Sequence, residues 1–175
     1  AEYVRDVEPG EVIFIQKGGL ESVKLPTSAK ESFCIFEYIY FSRPDSNIFG
    51  KSVYGCRKNL GKYLAGEFPK KCDLAMPIPD SGVTAAIGFS QEMKIPLEMG
   101  MIRNHYVGRT FIQPSQFIRN FRVRVKLNPV KGAIEGKKVA VIEDSIVRGT
   151  TCRARAKTLR EAGAKEIHMG VSCPP

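Results

Sequence analysis

Glu143 and Asp144 are adjacent carboxylates at the end of the apolar run KVAVI (residues 138–142). Two carboxylates placed after a buried strand are costly unless they meet hydroxyls or a cation. Ser145, Ile146, Val147, Arg148, Gly149, Thr150 and Thr151 follow directly and open a helix. Backbone N–H groups converge at such a helix start, with the positive end of the helix dipole behind them. Ser145, Thr150 and Thr151 add hydroxyl donors, and Gly149 permits a tight turn. Together these residues make a phosphate cradle. It is not a Walker loop, because the chain has no GxxxxGK[ST]. A cradle beside a carboxylate pair suits a sugar phosphate, with the phosphate in the loop and the ribose diol donating to the carboxylates. A plainer reading makes the acids mere caps of the following helix. The strand–acid–acid–loop–Thr-Thr–helix series favours the ligand.

The elements that must position this loop read as an α/β domain. Residues 33–41 (FCIFEYIYF) are aromatic and β-branched, which predicts a buried strand. Residues 57–65 carry Leu60, Tyr63 and Leu64 at helical spacing, with Arg57, Lys58 and Lys62 on the polar side. Residues 73–78 predict a short strand. Residues 81–94 predict a helix capped by Asp80 or Ser81, and 96–102 a further strand. Residues 103–130 are long, basic and weakly periodic, with room for a short helix near 115–121. Residues 138–142 lack alternation, as expected of a strand covered on both faces. A helix over 150–162 stops at Gly163, and a strand follows over 166–171. Strand–helix alternation of this kind predicts a parallel sheet with crossover helices. Ligands of such sheets bind outside the carboxyl ends of the strands, which is where Glu143 and Asp144 stand. Upstream, residues 11–15 and 21–25 flank Gly18-Gly19 as a small hairpin. The abrupt start gives the chain the look of a cut from a larger protein.

Composition narrows the function classes. The chain has 175 residues, 43% hydrophobic and 26% charged, and a net charge of +9. These are globular values. No apolar run approaches the roughly 20 residues of a membrane span, and no secretory signal opens the chain. The basic excess favours an anionic partner without saying which. Five widely spaced cysteines without a CxxC argue against a disulfide framework and for a reducing, cytoplasmic setting.

VIEDSIVRGTT (141–151) resembles the phosphoribosyl pyrophosphate (PRPP) motif of the type I phosphoribosyltransferases. CIFEYIYFSRPDS, RKNLGKYLA, PIPDSG, NHYVGRTFIQPSQ and REAGAKEIH then run in the order found in the amidophosphoribosyltransferases, over about residues 33–168. The resemblance implies a type I phosphoribosyltransferase-like parallel sheet with flanking helices over 31–175. Residues 1–30 would be the connector and the last strands of a glutaminase domain. The activity implied is Mg²⁺-dependent transfer of ammonia, released from glutamine by the glutaminase domain, to PRPP. The products are phosphoribosylamine and pyrophosphate, in the first step of purine synthesis. Carried over by position, Ser81, Glu143 and Asp144 contact the Mg²⁺ or the ribose diol, and residues 145–151 bind the ribose phosphate. Asp80, Ser81 and Gly82 lie near the pyrophosphate. Residues 103–126 form a closing flap, with Arg103 and Tyr106 at its catalytic positions and Arg109 and Thr110 binding substrate. Purine nucleotide feedback inhibitors and a homo-oligomeric assembly are also implied, with no membrane partner.

Cys34 is most simply a small core residue. One branch of the family holds a 4Fe–4S cluster whose first cysteine stands in the same CIFEYIYF context, which would make Cys34 a ligand in the full-length protein. Residues 119–131 interleave five basic residues with apolar ones and read either as a nucleic-acid strip or as a pyrophosphate-facing flap. The competing function is therefore a PRPP-sensing regulator of the same fold that binds nucleic acid.

Overall fold

The computed structural model describes residues 3–26, 32–104 and 127–174. The chain divides into two compact units, Ala1–Cys34 and Ile35–Pro175. In the first, β1 (Glu11–Gln16) pairs antiparallel with β2 (Gly19–Lys24), and Val12 stands opposite Val23 and Ile15 opposite Leu20. Arg5 grips the Glu11 carboxylate at 2.9 and 2.6 Å. The Arg5 bonds, with support from Ser22 and the Glu8 N–H, hold the Glu11 carboxyl well below the usual range.

The second unit is built on a parallel sheet. Residues 47–48 and 51–52 form a minimal hairpin (β3 and β4). Ser52 then caps α1 (Val53–Glu67), its hydroxyl accepting from the Gly55 N–H at 3.2 Å. Strand β5 (Leu74–Pro77) leads to α2 (Val83–Met93). A short antiparallel pair, β6 (Met101–Arg103) and β7 (Leu127–Pro129), and one helical turn, α3 (Lys131–Ile134), follow. Then come β8 (Lys138–Glu143), α4 (Thr150–Glu161) and β9 (Glu166–Val171). The sheet order is β5-β8-β9, all parallel, with Val139 between Leu74 and Ile167.

Strand β8 divides the core by side-chain parity. Val139 and Val141 pack with Leu74, Met76 and Leu159 of α4. Ala140 and Ile142 pack on the other side with Ala75, Ala86 and Phe89. All four β8 side chains are fully buried, which is why the strand shows no alternation in sequence. On the second face α1 and α2 come into backbone contact. A Cβ on Gly61 or Gly88 would fall 1.9 Å from the carbonyl oxygen of Ala85 or Lys58, respectively.

Four sequence expectations need correction. Residues 33–41 are not a buried strand: Glu37–Phe41 forms a π-helical turn, with Ile39 buried and Phe33, Ile35, Phe36, Tyr40 and Phe41 exposed. The carbonyls of Ile35, Glu37 and Tyr38 find partners without a strand neighbour. Ser42 N–H donates to Glu37, and Arg57 donates to Tyr38 and Ser42. Arg57 is accordingly buried rather than on a solvent face. Residues 96–102 reduce to a single bridge from Leu97 to Ala75 and the separate strand β6. Helix α2 is capped by Gly82, with no side-chain cap bond from Asp80 or Ser81. The helix expected near 115–121 lies outside the described residues. No described helix is long and apolar enough to cross a membrane.

Candidate active site

The chain turns away from the sheet at the carboxyl end of β8, and a cavity of about 1090 Å³ opens there. Glu143 and Asp144 lie in it and are almost fully buried, at 4% and 5% exposure. The loop from Ser145 to Thr151 forms one wall, and Asp80, Ser81 and Arg103 contribute to another. Thus the sequence-predicted carboxylates, the phosphate loop, the 80–81 turn and the first flap residue converge. Gly82 stands behind the wall as the α2 cap. Tyr106, Arg109 and Thr110, with the rest of residues 105–126, lie outside the described residues.

Gly149 makes the loop a cradle. Its φ is +71°, and a Cβ there would meet nothing within 4 Å. As the cap of α4 it supplies no side chain to the helix start. The first turn of this twelve-residue helix thus lines the cavity without a side-chain cap bond to its N–H groups.

The electrostatics of the acidic pair follow from burial and neighbours. Asp144 Oδ1 accepts from Ser145 Oγ at 2.5 Å. Glu143 Oε2 accepts from Arg155 Nη1 of α4, and the Asp144 N–H also supports that carboxylate. Desolvation nevertheless outweighs Arg155, and with the Asp144 charge beside it the Glu143 carboxyl is pushed up to about 7. Arg155 Nε is buried and finds no hydrogen-bond partner among the described residues. Asp80 and Arg103 pair at 2.5 Å across the cavity mouth. The Pro79–Asp80 peptide bond is cis.

Sequence reasoning missed three contributors. Arg57, at 5% exposure, donates to the carbonyl oxygens of Tyr38 at 2.6 Å and Ser42 at 2.8 Å and reaches the cavity wall. The available signal was the i, i+4 series Val53, Arg57, Gly61 and Ala65, which is the buried stripe of α1. Arg155 was legible through its i, i+4 relation to Leu159. The aromatic rim of Phe36, Tyr40 and Phe41 was hidden by the strand reading.

Among the described residues no group of three or more His, Cys, Asp or Glu could hold a metal ion by itself. Cys34, expected as a small core residue, is exposed instead.

No family model matches the chain. It is 54% identical over all 175 residues to an amidophosphoribosyltransferase of Synechocystis sp., of which it spans 35%. A solved structure of the allosteric regulatory enzyme of purine biosynthesis shares 53% identity and superposes with a TM-score of 0.86, covering 99% of this chain and 37% of that one. The glutamine PRPP amidotransferase of B. subtilis, complexed with ADP and GMP, gives 53% identity and a TM-score of 0.85, over 99% of this chain and 38% of that one. The chain thus spans a little over a third of the length of these relatives. Nothing in these likenesses favours the nucleic-acid-binding regulator. With a parallel sheet that carries its cradle and acidic pair at the carboxyl edge, and about half its residues identical over the whole length, the chain belongs to the amidophosphoribosyltransferase family.

Proposed function

We propose that this chain supplies the phosphoribosyl-transfer site of an amidophosphoribosyltransferase, joining ammonia to PRPP with release of pyrophosphate. The observation that carries the reading is the buried Glu143–Asp144 pair at the mouth of β8, in one cavity with the Gly149 cradle. The ribose phosphate binds the open N–H groups at the start of α4 and the hydroxyls of Thr150 and Thr151. The diol donates to the acidic floor, where Asp144 is already oriented by Ser145. The pyrophosphate lies toward the 80–81 turn and Arg103.

Breaking the anomeric bond leaves positive charge on the ribose, and the acidic floor stabilises it as it develops. Arg103, which pairs with Asp80 across the mouth, balances charge on the leaving group. Neutral ammonia needs no strong base. The oxygen donors Asp144, Glu143 and Ser81 fit Mg²⁺, which takes one or two carboxylates together with substrate phosphates. When bound, Mg²⁺ supplies Lewis-acid stabilisation of the departing pyrophosphate. The ammonia source, nucleotide effectors, cytoplasmic setting and homo-oligomeric assembly named above belong to the same reading.

Calorimetric titration with ribose 5-phosphate and with PRPP plus Mg²⁺ tests it. Saturable binding that Asp144→Asn weakens on the order of tenfold, as for loss of a charged hydrogen-bond partner, is the expected result. No binding of either compound overturns it.

A further inference from the structure

The parity of β8 settles which carboxylate faces which neighbour. Val139 and Val141 point to the face that receives Leu159 of α4. Glu143 continues that series by period two, and Arg155 sits one helical turn before Leu159 on the same stripe of α4. The core layer shared by β8 and α4 therefore ends in an ion pair, Arg155 Nη1 to Glu143 Oε2. Both side chains are withdrawn from solvent, at 5% exposure for Glu143 and 22% for Arg155. The Glu143 carboxylate also meets the Asp144 N–H. These two bonds fix the carboxylate against the helix and the loop backbone and leave acceptor sites over.

The position of the pair gives it a purpose. Glu143 is the last residue of β8 and Arg155 lies in the second turn of α4, so the bond joins the two ends of the 144–149 loop. A loop closed at its base loses conformational freedom before any ligand arrives, and a site ordered in advance binds more tightly.

The geometry points to Arg155 as a positioning residue that clamps the phosphate loop through Glu143. This inference rests on the phosphoribosyl reading of the cavity and adds a second role within it. Glu143 anchors Arg155 with one side of its carboxylate while it remains part of the acidic floor.

The test is a double-mutant cycle in this chain with Glu143→Gln, Arg155→Met and the two combined, at pH 8, where Glu143 is ionised. Two readouts are taken: affinity for ribose 5-phosphate without metal, and amide hydrogen exchange of residues 145–151. Each single variant should weaken ribose 5-phosphate on the order of tenfold, the scale seen when the support of a ligand-holding group is lost. Each should speed loop exchange to a similar degree, and the double variant should be no worse than Glu143→Gln alone. Arg155→Lys keeps the charge, retains folding and should recover part of both losses. Independent losses that multiply in the double variant overturn the clamp. So does a large loss in Glu143→Gln beside an unchanged Arg155→Met, which would make Glu143 a ligand with no anchoring role. A wild-type chain that ignores ribose 5-phosphate overturns the phosphoribosyl reading instead. The clamp then stands or falls on the exchange cycle alone: equal, non-additive acceleration supports it, and unchanged exchange in Arg155→Met sinks it.

Discussion

A Cβ on Gly82 would lie 2.4 Å from the carbonyl oxygen of Ile142. That same oxygen accepts from the Ile78 N–H at 2.9 Å, extending the β5–β8 pairing to the edge of the cavity. The 80–82 turn is therefore seated directly on the residue that precedes the acidic pair. Gly82→Ala forces this seat apart and should cost about 1–3 kcal/mol, the usual penalty of overpacking. It should also weaken ribose 5-phosphate binding, because the turn and the acidic floor share one anchor. Gly132→Ala is the control: a Cβ there meets nothing within 4 Å, and in the short α3 it should be neutral or slightly stabilising. Urea denaturation of the two variants decides; equal stability would show that the turn can move aside.

Glu143 gives the site a pH signature. Its folded carboxyl sits at about 7 against an ordinary 4.5, chiefly through burial, so the folded chain holds this proton more tightly than the unfolded one. The stability from the protonated form is complete below about pH 4.5 and fades as pH rises through 7. Glu143→Gln lacks the titration. Wild-type stability relative to this variant should therefore fall by about 3 kcal/mol between pH 4.5 and pH 8. Denaturant titrations at each pH measure it, and a constant difference would mean that Arg155 fully offsets the desolvation.

Much of this architecture was legible because the pattern and the packing agree. The uninterrupted apolar run of β8 marks a strand covered on both faces, and the acids that end it mark the carboxyl edge of a parallel sheet. The segment at 33–41 misled for a physical reason. Its aromatic and β-branched content suits a strand, yet its carbonyls are met by an arginine from α1 that is far away in sequence. Arg57 was hidden in turn, because a charged residue on a helix defaults to solvent unless its acceptors are known. The Glu143–Arg155 pair needed the depth of the α4 stripe as well as its period. Strand 96–102 was too long because Leu97 and Met101 pair with different partners.

Arg57 should be a larger determinant of stability than its surface-like sequence context suggests. Burial lowers its guanidinium from the ordinary value, partly offset by the Asp144 charge. Its two donors hold the carbonyls of Tyr38 and Ser42, at the two ends of the π-turn that rims the cavity. Arg57→Gln should cost about 2–3 kcal/mol through the acceptors it abandons. Arg57→Lys should rescue little, since a point ammonium cannot span two acceptors as a planar fork does. Thermal denaturation of the two variants tests this, and full rescue by lysine would mean that charge alone matters.

Gly149 separates strain from crowding. Steric blockage of phosphate is the simplest expectation for Gly149→Val, but a Cβ here meets open space. The penalty for smaller side chains therefore comes from the backbone, since φ of +71° disfavours residues with a Cβ by about 1–2 kcal/mol. Gly149→Ala should reduce stability by that amount and weaken ribose 5-phosphate, while Gly149→Asn, which tolerates this region better, should recover part of both. Equal losses in Ala and Asn variants would point back to crowding of the bound phosphate.

Asp144→Asn isolates the carboxylate charge. The residue is buried at 5% and Asp144 Oδ1 accepts from Ser145 Oγ at 2.5 Å; an asparagine amide oxygen can keep that bond, so the fold should be little disturbed. What is lost is the negative charge that the proposed function sets opposite the anomeric centre. If that charge stabilises positive character on the ribose, its removal should lower turnover of PRPP more than ground-state binding, because the interaction strengthens as the bond breaks. A fall in kcat on the order of a hundredfold, with a smaller change in ribose 5-phosphate affinity, is the expected split, measured by pyrophosphate release in the enzyme that carries this chain. A variant that loses affinity and kcat/KM equally while keeping kcat would instead make Asp144 a uniform binder of the diol, with no special role at the transition state.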